Sequence, residues 1–328
     1  MPERAGELRA ALDAVRAACR VCRAVQERMA GGALEKRDKS PVTVADFASQ
    51  AIVCRSLSLA FPDDPIVAEE ASEELRRESN AKLRDAVVEH VCAEIGAPAS
   101  ADLVLGWIDR GGADAKGGRY WTLDPIDGTK GFLRREQYAV ALGLIEGGEV
   151  VLGVLGCPNL PGADGSRGAL FAARRAGPAR AFPLWDSPDA EGSPIEVDRV
   201  RSAAHARLCE SVESEHSDQT ESARIASLLG IRGEPLRIDS QCKYAAVARG
   251  DASIYLRMPT RGDYREKIWD HAAGKLLVEA AGGRVTDVDG LPLDFGRGGT
   301  LDANRGIVAT SGSIHDEVLA AIRRARGG

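Results

Sequence analysis

In WTLDPIDGTKGF (residues 121–132) two carboxylates, Asp124 and Asp127, flank a proline and are followed by Gly128, Thr129, Lys130 and Gly131. Asp, Pro and Gly are what turns are made of, so an ordinary surface turn fits the composition. A cation site beside an anion site fits it too. Pro125 biases Asp124 toward extended backbone and presets its own φ for a turn, which predicts that the two aspartates fold toward one another. Two unpaired carboxylates that close repel; a divalent cation removes that cost, and hard oxygen ligands suit Mg2+. The backbone carbonyl of Ile126, inside the turn, is available as a further ligand. Gly128 and Thr129 then open a helix or helical turn whose free N–H groups point at an anion, so cation and phosphate pockets adjoin.

Other acidic residues stand at element ends. Glu69 and Glu70 close PIVAEE (65–70), where a half-buried strand pattern turns abruptly acidic. Asp46 falls in the first turn of a helix predicted to start at Thr43 as N-cap, and helix capping alone accounts for it. Asp270, in KIWDHAAGKLLVEAAGG, is the predicted N-cap of the last long helix, where capping again suffices. Ala272, Ala273 and Gly274 leave the following turn bare, as though something must approach it closely. The familiar nucleotide fingerprints are absent: Gly274-Lys275 is followed by Leu276, and Gly296-Arg297-Gly298 meets Leu301 where a third glycine belongs. Asp287-Val288-Asp289-Gly290 resembles the start of a calcium loop, but its twelfth position is Gly298, so it reads as a turn.

The elements that must position these residues are legible in outline. Residues 5–30 read as an amphipathic helix ended by Gly31-Gly32, and a second helix runs to the turn at 61–64. Residues 81–98 read as helical, and WIDRGGADAKGGRYW as a glycine-rich connection. QYAVALGLIE and EVVLGVLGC are strands joined by Gly147-Gly148, and GALFAARR is a third. Residues 176–194 are a loose hairpin or a seam between two halves. Beyond them come helices near 217–229 and across KYAAVARG, a strand at ASIYLRMP, the helix from Asp270 to Gly282-Gly283, and strands at GRVTDV and GIVAT. The fold class is α/β in layers, one domain over 1–328 with halves of about 1–175 and 195–328.

Composition narrows the functions. The 328 residues include 44% hydrophobic and 28% charged residues, ordinary for a globular chain. No segment approaches the ~18 apolar residues of a membrane span, and the charged N-terminus lacks a signal-peptide core, so a cytoplasmic location and no membrane partner are expected. Forty-three basic against 49 acidic residues give a net charge of −6, which argues against a nucleic-acid polymer but not against a small phosphorylated substrate. Seven cysteines imply no disulfide framework; Cys19 and Cys22 form a CxxC within a helix and read as small apolar positions.

DFASQ (46–50), VAEE (67–70), WTLDPIDGTKGF and WDHAAG (269–274), in this order and spacing, resemble the inositol monophosphatase superfamily of lithium-sensitive, magnesium-dependent phosphatases. DKSPVTVADFASQ (38–50), GVLGCPNLP (153–161) and DSQCKY (239–244) look like its 3′(2′),5′-bisphosphate nucleotidase branch, whose substrate is 3′-phosphoadenosine 5′-phosphate. The resemblance implies an αβαβα sandwich. It implies that Glu69, Asp124, Asp127 and Asp270, with the Ile126 carbonyl, hold two or three Mg2+ ions. It makes Asp46, helped by Thr129, the residue that holds and deprotonates the attacking water. It puts Gly128 and Thr129 at the cleaved phosphate and His216, Ser240, Lys243 and Arg257 around the nucleotide, Lys243 and Arg257 pairing with the 5′-phosphate.

Each of those four has an ordinary reading too: Lys243 as a solvated helix residue, Arg257 as a strand-end charge, Ser240 as a cap, His216 as a residue before a helix. Two positions depart from the family pattern, Arg135 for a small glycine and Ala71 for an acidic residue. An inositol phosphate or inositol polyphosphate phosphatase on the same fold is the neighbouring reading, and a catalytically silent nucleotide sensor the more distant one. The chain is expected to act as a monomer.

Overall fold

Near-continuous apolar runs between 139 and 174 fix the middle of the molecule, because a strand sends alternate side chains to opposite faces and these strands are buried on both. The computed structural model describes residues 4–30, 40–116, 118–162, 165–185, 190–212, 219–259 and 264–327. Its first sheet has seven strands in chain order: β1 (Ile66–Ala68), β2 (Arg119–Asp127), β3 (Ala139–Glu146), β4 (Glu149–Pro161), β5 (Arg167–Arg174), β6 (Arg180–Pro183) and β7 (Ser193–Pro194). Only β1 pairs with its neighbour in parallel. Val140, Leu142 and Leu144 pack on one face, Ala139, Ala141 and Ile145 on the other. Both faces are therefore covered.

On the first face lie α1 (Ala5–Ala30), α2 (Ser40–Ala60), α3 (Ala81–Ile95) and α4 (Ala101–Asp109). Against the second lie α7 (Cys242–Ala248) and α8 (Ala272–Ala280), which also touch a second sheet. That sheet is ordered β11 (Arg284–Thr286), β12 (Ile307–Thr310), β10 (Ile254–Arg257), β8 (Leu208–Glu210) and β9 (Leu236–Arg237). Tyr255 of β10 faces the inner helices, while Ile254 and Leu256 face α6 (Gln219–Leu229) and α9 (His315–Ala325) on the far side. Three apolar cores separate five layers, α, β, α, β, α. No described helix is long and apolar enough to cross a membrane.

The structure revises several local expectations. Helix α2 starts at Ser40, so Thr43 lies inside it instead of capping it and Asp46 sits a turn further in. The DPID segment is the bulged end of β2, with the register shifting between Asp124 and Asp127, and not a turn. Asp270 ends a short 3-10 turn (Ile268–Asp270) and is not the cap of α8, which begins at Ala272. The bare turn that follows serves packing: a Cβ on Gly274 would lie 2.2 Å from the Tyr244 ring of α7, and Ala273 Cα lies 2.9 Å from where a Cβ on Gly153 of β4 would be. What approaches there is the protein. Helix α9 and most of helix α4 fall where the sequence reading assigns no element, and the last three residues of α4 fall in its glycine-rich connection. Residues 176–194 supply β6 and β7, an antiparallel pair on the edge of the first sheet. Gly31 and Gly32 lie outside the described residues.

Candidate active site

One face of α2 builds the acidic end of the site. Asp46, Ser49 and Gln50 share that face at helical spacing. Ser49 Oγ donates to the Pro125 carbonyl at 2.9 Å, holding the bulge of β2. Gln50 Nε2 donates to the Glu70 carbonyl at 2.7 Å and its Oε1 accepts from the Glu70 N–H at 3.0 Å. The strand pair then does the rest: β1 and β2 run in parallel with Ala68 beside Leu123, so Glu69 emerges next to Asp124.

A cavity of about 410 Å3 opens there, and Glu69, Asp124, Ile126, Asp127 and Asp270 all line it. Asp124 is 2% exposed, and its Oδ1 has no hydrogen-bond partner. Burial, then Glu69 and Asp127, push the Asp124 carboxyl well above the usual range. Glu69 is pushed up to about 7 by loss of water and then by Glu70 and Asp127. Burial lifts Asp270 to about 6 although Arg257 and His271 oppose it. Crowded carboxylates with an orphaned buried oxygen are the donor set of a hard divalent cation. The residues present fit Mg2+.

Asp46 is half-buried and does not line the cavity. Burial, then Glu70 and Glu69, raise its proton affinity well above the ordinary carboxylate value. Thr129 lines the cavity as the first residue of α5 (Thr129–Arg134), after Gly128 in the left-handed conformation at φ 91°. Among the described residues no hydrogen bond joins Asp46 to Thr129. Arg135, at the other end of α5, is exposed and also left-handed at φ 59°; its side chain extends to the surface. Ala71 is exposed.

The opposite wall holds Ser240, Lys243 and Arg257. Lys243 is 4% exposed, so it is not a solvated helix residue; burial lowers its pKa while Asp127 opposes, and its ammonium lies 5.3 Å from the Tyr255 ring centre. Ser240 adopts φ 63°, donates to the Asp239 carbonyl at 2.6 Å and accepts from the Cys242 N–H at 3.2 Å, a local turn just before Gln241, which caps α7. A Cβ on Gly128 would stand 2.8 Å from Ser240 Cβ, so the two walls touch there. His216 lies outside the described residues.

Three residues that the sequence reading did not single out hold the walls together. The Gln241 N–H donates to Asp127 Oδ2 at 2.6 Å, while its side chain donates to the Trp269 carbonyl at 2.9 Å and accepts from the Gly274 N–H at 3.2 Å, bracketing Asp270. Asp239 accepts from Arg134 of α5 and, at 3.2 Å, from the Val212 N–H. Asp239 and Gln241 belong to the DSQCKY segment, which was the available signal.

Glu266, Asp270 and His271 also bring ligand atoms within 4.8 Å of one another, but Arg257 occupies the Glu266 carboxylate at 3.0 and 2.9 Å. Cys19 and Cys22 are fully buried and free in α1, as apolar helix positions are. Asp287 takes the N–H groups of Asp289 and Leu291 at 3.0 and 2.9 Å and the Asn304 amide at 3.2 Å, so protein donors fill that turn.

Known proteins carry the same arrangement of elements and sequence. The chain is 44% identical to a 3′(2′),5′-bisphosphate nucleotidase of Emericella nidulans, covering 95% of this chain and 96% of that one. It is 44% identical to one of Schizosaccharomyces pombe, covering 90% and 88%. The structure of Mycobacterium tuberculosis SuhB superimposes with a TM-score of 0.65 at 22% identity over 100% of this chain and 99% of that one, a likeness of fold. The sequence profile described as the inositol monophosphatase family matches residues 6–326, and the chain belongs to that family.

Proposed function

We propose that this protein is a Mg2+-dependent phosphatase that removes the 3′-phosphate of 3′-phosphoadenosine 5′-phosphate, giving AMP and phosphate. The observation that carries it is a single cavity lined by Glu69, Asp124, Asp127 and Asp270 and also by Lys243 and Arg257. Four carboxylates suit a metal-assisted displacement; two cations in the same cavity suit a second phosphate that stays on the product. The names of the curated relatives support the nucleotide.

Glu69, Asp124, Asp127, Asp270 and the Ile126 carbonyl would hold two or three Mg2+ ions. Held there, a divalent ion would supply Lewis acidity to water and to the transferred phosphoryl group. Asp46, whose environment raises its proton affinity, takes the proton of the attacking water, and Thr129 orients that water. Gly128 and Thr129 offer backbone N–H groups to the cleaved phosphate. Lys243 and Arg257 pair with the 5′-phosphate, with Ser240 and His216 beside the nucleoside. Phosphate-ester hydrolysis is mainly positioning and electrostatics, so no serine or cysteine nucleophile is required. The same reading has the protein act as a monomer in the cytoplasm on a free nucleotide; the net charge of −6 supports a small ligand over a polymer.

Phosphate release from 3′-phosphoadenosine 5′-phosphate and inositol 1-phosphate, side by side, with Mg2+ and with chelator, tests the reading. Mg2+-dependent preference for the nucleotide is expected. Preference for inositol phosphate would remove the roles of Ser240, Lys243 and Arg257. Nucleotide binding without turnover of either would leave a sensor.

A further inference from the structure

Arg257 ends β10 between two carboxylates. Its Nε donates to Glu266 Oε1 at 3.0 Å and its NH2 lies 2.9 Å from Glu266 Oε2. The same NH2 is 3.6 Å from Asp270 Oδ2. Two parallel contacts to one carboxylate fix the plane of a guanidinium, whereas a single longer contact does not. Glu266 therefore decides where Arg257 points, and Asp270 is the standing competitor for it.

Glu266 is itself braced. His271 Nε2 is 3.1 Å from Glu266 Oε2, and His271 Nδ1 is 2.8 Å from the Tyr244 hydroxyl. A carboxylate accepts only, so His271 donates through Nε2–H, while Nδ1 and the Tyr244 hydroxyl share the other hydrogen bond. The backbone carbonyl of Glu266 accepts from Leu301 at 2.8 Å. Tyr244, His271 and Glu266 are 1%, 0% and 5% exposed, and none of the three lines the cavity. Tyr244, His271 and Glu266 thus form one buried hydrogen-bonded chain that ends on the carboxylate gripping Arg257.

We propose that Glu266 is a positioning residue for substrate selection: its two-point clamp on Arg257, braced by His271 and Tyr244, aims the guanidinium at the phosphate that is not cleaved. This rests on the reading of the cavity as a bisphosphate nucleotide site. The clamp gives the enzyme its preference for a nucleotide carrying a second phosphate, and it leaves the chemistry at the first phosphate untouched. Without it the guanidinium is no longer held in that plane, and the cation aimed at the second phosphate is lost.

The test compares 3′-phosphoadenosine 5′-phosphate with adenosine 3′-phosphate, which lacks only the 5′-phosphate, on the full-length Mg2+-loaded protein. For Glu266→Gln the KM of the bisphosphate is expected to rise about tenfold, the cost of misplacing one charged hydrogen-bond partner, with kcat on both substrates and the KM of the monophosphate within about twofold. Tyr244→Phe, which removes one hydroxyl and keeps the packed ring, is expected to move the ratio of kcat/KM values the same way by about threefold, as loss of one remote hydrogen bond would. It decides the matter if Glu266→Gln does not fold. If wild type discriminates between the substrates and the variants lose equally on both, Glu266 is merely structural and the inference falls alone. If wild type does not discriminate, the nucleotide reading falls and takes the inference with it.

Discussion

Acidification from pH 7 to pH 5 is expected to cost the fold about 2 kcal/mol through one residue far from the cavity, His315. His315 begins α9 and is fully buried. Its Nε2 is 2.9 Å from Thr286 Oγ1 and its Nδ1 is 2.9 Å from Thr310 Oγ1. The Thr286 hydroxyl donates to the Asp287 carbonyl at 2.8 Å, so it must accept from Nε2–H. Nδ1 is then bare and accepts from Thr310, whose oxygen accepts in turn from the Gly312 N–H at 3.2 Å. The neutral ring satisfies every group, and a second N–H would face a donor. Burial, then Arg284, holds the imidazole down to about 4 from 6.5, with Asp316 opposing.

The sign follows from proton counting. Between those two values the unfolded chain binds a proton that the folded chain refuses, so stability falls as pH falls. The loss starts near 6.5, is complete below 4, and amounts to about 3 kcal/mol over the whole window. Urea unfolding of wild type and His315→Gln at pH 7, 6 and 5, both in chelator, isolates it, because other titrating groups cancel in the difference. The glutamine amide can still donate to Thr286 and does not ionise. The stability advantage of wild type over the variant is expected to shrink by about 2 kcal/mol between pH 7 and pH 5. Parallel curves would refute the tautomer chain and its consequence.

Arg135→Gly is expected to stabilise the protein by about 0.5–1 kcal/mol in urea melts, since an exposed side chain at φ 59° pays a left-handed penalty that exceeds the added freedom of the unfolded glycine. A loss of stability would mean that Arg135 makes a contact worth more than its strain. Asp46→Asn is expected to lower kcat by about 10²–10⁴ with little change in the KM of the nucleotide. Turnover at the wild-type rate would remove Asp46 from the role of base.

Much of the architecture was readable because it is periodic. The strands from 139 to 174 are apolar runs bounded by turn residues, α1 is amphipathic, and Gly147-Gly148 marks the hairpin, so these elements stand where local pattern puts them. The strand β2 was not readable as a strand because its end carries Asp, Pro, Asp and Gly, the chemistry of a turn, and only pairing with β1 and β3 keeps it extended. The acidic first turn of α9, Asp316 and Glu317, and its basic last turn were present in the sequence as helix signals and went unread. At the site, residue types that could ligate were visible, but their partners were not. Nothing in sequence spacing ties Glu266 to Arg257 or Gln241 to Asp127; those contacts come from the meeting of α7, β10 and the Ile268–Asp270 turn.

Every residue of α7 is buried between the two sheets, and Lys243 is one of them. A helix with no wet side cannot fray or lift away locally; water reaches it only when the sheets part. Its amides should therefore exchange with solvent only as the whole molecule opens. The six-residue α5, which offers Thr129 from across the cavity, meets solvent at its start and is tied at its far end by buried Phe132 and the Arg134–Asp239 pair. The cleft is thus built with one fully buried jaw and one jaw whose first turn meets solvent.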